Sequence, residues 1–164
     1  MRKTQLIFQI GTDKITSSCS KTLEIKWRIK SRSLDDHQII PITATCDPKP
    51  KFAVNSNTKL IVLGHGDETK RDAYYKSETE KIITLDELAQ KIVGVINKSS
   101  IGSFENPLHI NLITCFGGYS DENSSLAENL HGALLKLGVH AGITARDSVI
   151  KLNDLGRKKR CVRQ

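Results

Sequence analysis

Residues 58–66 read TKLIVLGHG, and residues 108–115 read LHINLITC. Each is a short, continuous apolar run, the kind of segment that forms a strand covered on both faces of a parallel sheet. Each also ends on chemically capable residues. The first delivers His65 between Gly64 and Gly66, and the second delivers Cys115 shortly before Gly117 and Gly118. Neighbouring parallel strands bring their carboxyl ends to one edge of a sheet, so the two side chains are expected together although fifty residues separate them.

Working outward, TQLIFQI at residues 4–10 reads as a first strand. Residues 17–31 carry Leu23, Ile25, Trp27 and Ile29, a spacing that fits either a helix or an alternating strand; a helix followed by a loop is the preferred reading. Residues 38–45, QIIPITAT, suit a short edge strand interrupted by Pro41, because proline cannot donate to a ladder. Residues 47–57 are loop by their Pro and Asn content, and the polar residues 67–82 are expected to be a loop or a small flap. Thr84 with Glu87 three residues later is a capping box, opening a helix through Leu85, Leu88, Ile92, Val95 and Ile96. Residues 123–137 predict a helix with Leu126, Leu130, Leu134 and Leu137 on one face, stopped by Gly138, and residues 139–145 a further strand. The alternation of strand and helix predicts an α/β fold with a mostly parallel sheet flanked by helices, whose ligands bind beyond the carboxyl ends of the strands. No internal repeat or domain boundary interrupts residues 1–164, so one domain is expected.

Charge narrows the partners. Lys and Arg number 25 against 18 Asp and Glu, a net charge of +7, and the chain ends in the basic run GRKKRCVRQ. This favours an anionic partner, whether nucleic acid, a phospholipid surface or a small polyphosphate, over an unassisted solvated surface only evenly. With three Tyr, four Phe and one Trp, and no nucleic-acid motif, a nucleic-acid-binding domain is the weaker alternative. No apolar run approaches the roughly 18 residues of a membrane span. The N-terminal MRKTQLIFQIGTDK turns apolar only briefly and has no small-residue cleavage site, so a strand is expected there and no secretion signal of the usual type. Cys19, Cys46, Cys115 and Cys161 lack C-x-x-C spacing; free thiols, not a zinc site or disulfides, are expected.

A Cys beside a His suits nucleophilic catalysis, in which a thiolate attacks an acyl carbon and the imidazole moves protons. The amides of Gly66 and Cys115 could stabilise the resulting oxyanion. Asp13, after the first strand, is the candidate for orienting the imidazole. Against this stands the commoner role of a strand-end His as a structural hydrogen-bonding residue and of a buried Cys as a small apolar side chain. His37, His109, His131 and His140, lacking a Cys partner, and Cys19, Cys46 and Cys161, lacking a strand-end glycine context, take that structural reading.

These residues carry a resemblance. QLIFQIGTDKIT, KLIVLGHGDE, HINLITC and VHAGITARDSVIKLNDLGRKKR occur in the order found in the inositol-hexakisphosphate-activated cysteine protease domains of the large clostridial glucosylating toxins and the multifunctional autoprocessing RTX toxins, within the caspase-like clan. The resemblance spans nearly the whole chain. It implies a caspase-like three-layer sandwich, Cys115 as nucleophile, His65 as acid/base and Asp13 as the residue orienting His65. It also implies cleavage after Leu, usually in the protein's own chain, and an inositol hexakisphosphate pocket away from the catalytic residues. The matching pocket positions are Arg2 or Lys3, Lys26, Lys59, Arg157 and Lys158. The family's phosphate-binding flap follows the Gly-basic segment, where this sequence stops at Gln164, so a truncated or absent flap is expected. The implied setting is a monomeric toxin or effector translocated from bacteria into a host cytosol, cleaving in cis or in trans. The alternative on the same fold is a non-catalytic polyphosphate-binding module.

Overall fold

The strand at Thr4–Gln9 (β1) is apolar on both faces because it lies inside a sheet: Leu6, Ile7 and Phe8 are all fully buried, pointing alternately to opposite sides. The structure is a computed structural model that describes residues 3–11, 14–42, 49–67, 70–75, 82–99, 108–113, 126–144, 150–152 and 158–160. The helix Lys14–Ser31 (α1) follows β1, then strand His37–Pro41 (β2) and strand Thr58–Leu63 (β3). Next come three short strands, His65–Asp67 (β4), Lys70–Tyr75 (β5) and Ile82–Thr84 (β6), and the helix Leu85–Ser99 (α2). Strand Leu108–Ile113 (β7), helix Leu126–Lys136 (α3) and strand Ala141–Thr144 (β8) complete the alternation, and Ile150–Leu152 (β9) pairs antiparallel with Lys158–Arg160 (β10).

Five strands form the central sheet in the order β2-β1-β3-β7-β8, and every pair is parallel. Helices cover both faces. Leu6, Phe8, Leu60, Val62, Ile110 and Leu112 turn to the side of α2 and α3, where they meet Leu88, Ile92, Leu130 and Leu134. Ile7, Ile61, Leu63 and Ile113 turn the other way, to Leu23 of α1. This is the three-layer α/β arrangement expected of a caspase-like fold, with the edge position of β2 as read from Pro41.

Local chemistry explains the helix ends. Thr84 Oγ1 accepts from the Glu87 amide (3.2 Å) and donates to the Glu87 carboxylate (3.3 Å), so Thr84 caps α2 as the sequence pattern predicts. Gly138, at φ 79°, ends α3 in the left-handed region that glycine tolerates best. Two sequence expectations are corrected. Leu137 does not continue the buried stripe of α3: its amide donates to Leu134 O, three residues back, so the last turn has tightened, and its side chain is 43% exposed. The stretch after His65, read as loop or flap, contains the antiparallel sheet β4-β5-β6, in which Tyr74 and Tyr75 face Ile83 and Ile82 across the β5–β6 ladder. Its strands are short and its alternation weak, which hid them in the sequence.

Candidate active site and cationic cavity

The carboxyl ends of the three innermost strands are in register. Gln9 of β1 is level with Leu63 of β3, and Leu63 is level with Ile113 of β7. The Ile10 amide donates to Leu63 O (2.7 Å), and the Gly64 amide donates to Ile113 O (3.4 Å), so the three chains stay joined one residue past the ladders. His65 follows two residues after Leu63, Cys115 two residues after Ile113, and Asp13 four after Gln9. Of these, the His65 and Gly66 backbone opens β4, while Asp13 and Cys115 lie outside the described residues.

Gly64 is required where β3 gives way to β4. A Cβ there would lie 2.8 Å from Ile10 Cβ and 3.2 Å from Ile10 O, closer than packing allows. The neighbouring β1–α1 turn is also held. Gln9 Nε2 donates to Gly11 O (2.9 Å) and to Ser17 Oγ (3.4 Å), and Ser20 Oγ donates to Gln9 Oε1 (2.6 Å). One half-buried amide thus ties the end of β1 to the first turns of α1 on both sides of the segment that contains Asp13.

At the amino-terminal end of the same strands lies a cavity of about 610 Å³, between α1 and the sheet. Its charged lining is Lys3, Lys26, Lys30 and Lys59, with Trp27 and His109 beside them and Leu23, Ile61 and Ile113 as an apolar floor. Three of the expected phosphate-binding positions, Lys3, Lys26 and Lys59, are therefore brought together. Arg2 and Arg157 lie outside the described residues, and Lys158 is described only as backbone in β10.

Two lining residues were missed by sequence reasoning. Lys30 stands four residues after Lys26, which places both on one side of a helix. His109 precedes the Leu60↔Ile110 pair by one residue, as Lys59 does on β3. Its ring bonds Thr144 Oγ1 through Nε2 (2.9 Å), and Gly142 leaves room for it, since a Cβ there would stand 3.2 Å from Nδ1. The parallel pairing of β3 with β7 was the signal that could have found it.

Behind the cavity wall, Trp27 and His37 stack obliquely, ring centroids 6.3 Å apart and tilted by 41°. Both Trp27 Nε1 and His37 Nε2 are buried without a hydrogen-bond partner. Burial pushes the His37 pKa below its ordinary value; Glu24 opposes this and Lys51 adds to it. Among the described histidines off the cavity, His131 bonds Ala141 O through Nδ1 (3.0 Å), the structural role expected of it. Cys19 forms no disulfide.

A parallel α/β sheet in which β3 and β7 end level at one edge, with His65 and Cys115 each two residues further along the sequence, has the framework of a caspase-like cysteine peptidase. The family model of the Peptidase C80 family matches residues 2–161, and the chain belongs to that family, the cysteine protease domain of the large clostridial toxins and the multifunctional autoprocessing RTX toxins. It is accordingly a cysteine peptidase of the toxin type, with a protein as substrate. No curated protein sequence matches it.

Proposed function

We propose that the chain is an endopeptidase cleaving after Leu, with Cys115 as nucleophile, His65 as acid/base and Asp13 orienting the imidazole. The observation that carries this reading is the common register of β1, β3 and β7, whose next residues are those three segments. The Cys115 thiol proton passes to His65, and the thiolate adds to the carbonyl carbon of the Leu residue. The amides of Gly66 and Cys115 stabilise the oxyanion. Collapse expels the amine, which takes the proton from His65; water then releases the acyl group from sulfur and restores the thiol.

Activity is proposed to be switched on by inositol hexakisphosphate. The cavity supports this by its size and by the convergence of four lysines with His109. Lys3, Lys26, Lys30 and Lys59 would hold phosphates there, assisted by Arg2, Arg157 and Lys158. Crowding these cations opposes folding until an anion neutralises them, so occupancy favours the ordered state. Lys59 lies near the start of β3 and His65 opens β4 just past its end, six residues or at most roughly 20 Å of extended chain apart, which makes β3 the shortest covalent path between the two sites. The proposed setting is a host cytosol reached by translocation, with cleavage in cis or in trans.

The test is covalent labelling by a Leu-based thiol-reactive substrate mimic, with and without inositol hexakisphosphate, read by peptide mass spectrometry. Labelling at Cys115 that is lost in His65→Ala and rises with the phosphate is expected. Labelling indifferent to phosphate would remove the switch and leave the dyad. No labelling of Cys115 in either state would remove the dyad.

A further inference from the structure

The outer face of α1 departs from the rest of the surface. Ile29 is 68% exposed and Ile25 45% exposed, and they stand four residues apart, so they form one continuous apolar ridge. Neither is needed to pack α1 onto the sheet, which Leu23 does from another side. Cations surround the ridge. At 100° per residue, Lys21 and Arg28 flank it on one side and Lys26 on the other, with Lys30 beyond. The acid of this stretch, Glu24, lies off the ridge and is within electrostatic reach of His37. Among the described residues, none of Lys21, Arg28, Lys26 and Lys30 has an ion-pair partner, and Glu24, three residues after Lys21 and four before Arg28, is the one acid of α1.

Exposed isoleucines bordered by unpaired cations on one helix match the design of an interfacial helix, which sinks a narrow apolar strip to the acyl boundary while its cations meet headgroup phosphates. We infer that α1 docks the protein peripherally on an anionic phospholipid surface, with Ile25 and Ile29 inserted and Lys21 and Arg28 at the headgroups. Charge complementarity selects a membrane over an apolar protein groove, because a buried protein interface would leave these cations without counter-charges. Docking requires no membrane span, and among the described residues no helix is long and apolar enough to cross a bilayer. The inference does not depend on the proposed phosphate switch, since Lys21 and Arg28 do not line the cavity.

The experiment is vesicle flotation of the full chain with phosphatidylcholine vesicles and with vesicles containing about 30% phosphatidylserine. Binding to the anionic vesicles alone, weakening as salt rises, is expected. The double substitution Ile25→Ser with Ile29→Ser leaves charge untouched and should lower partitioning on the order of tenfold. Lys21→Gln with Arg28→Gln should lower it and flatten its salt dependence. Thermal melts of both variants check that the fold survives. Equal flotation of wild type and the isoleucine variant would overturn the proposal, since general basicity would then suffice, and so would absence of flotation. Concentration-dependent self-association that vanishes in the isoleucine variant, without vesicle binding, would reassign the ridge to contact between copies.

Discussion

The two faces of the central sheet are built to different standards. Toward α2 and α3, twenty-three described buried side chains form one continuous cluster. Toward α1, only five described side chains do so, and a cavity of about 610 Å³ lined by lysines takes up the space beside them. Dense apolar packing supplies stability, whereas cations facing a cavity detract from it until an anion arrives. One face holds the sheet together, and the other leaves it open to a ligand.

The contrast is sharpest within β3, where Leu60 and Ile61 are both fully buried on opposite faces. Leu60→Ala should cost about 3–5 kcal/mol, because its neighbours are packed all round. Ile61→Ala should cost about 2 kcal/mol, because the smaller cluster on the α1 side gives it fewer apolar neighbours. Urea unfolding of the two variants measures the difference; equal losses would mean that the α1 face is as well packed as the other.

Next in size are the lysines. Lys26→Gln and Lys59→Gln should each weaken inositol hexakisphosphate about tenfold or more, the range of one charge-assisted hydrogen bond. Lys26→Gln should leave the unliganded protein as stable as wild type or slightly more so, since it relieves repulsion. Calorimetric titration paired with thermal melts checks both signs, and a variant that loses stability and affinity together would break the division between the faces.

The smallest effect is a pH dependence. The folded-state pKa of His37 lies below 6.5, so the unfolded chain binds more protons in the interval between them. Its contribution to stability is complete above about pH 6.5 and is lost as pH falls toward the lowered value. Urea melts at about pH 7.5 and about pH 5.5 should show the decline, and His37→Gln should flatten it.

How much of this could be read beforehand follows from which signals are local. Leu60–Leu63 and Leu108–Ile113 announced buried parallel strands, and Thr84 with Glu87 announced the start of α2, because those patterns are set by neighbours in sequence. Lys3, Lys26 and Lys59 were legible as cavity residues only through family resemblance, since nothing local to three separate lysines says that they converge. His109 was set aside as structural because the residues that place it, Thr144 of β8, which it bonds, and Lys59 of β3, which lines the same cavity, come from distant sequence. The strands β4 to β6 escaped for a different reason: three-residue strands such as His65–Asp67 are too short to show a period.

Trp27 gives the cavity one more property. It is the single tryptophan of the chain, it forms part of the cavity wall, and its ring lies beside an imidazole that titrates. Every photon of indole emission therefore originates at that wall. Arrival of a ligand on one side and protonation of His37 on the other both alter the polarity around the same chromophore. The molecule carries an intrinsic optical gauge of its own occupancy, and no dye or tag is needed to read it.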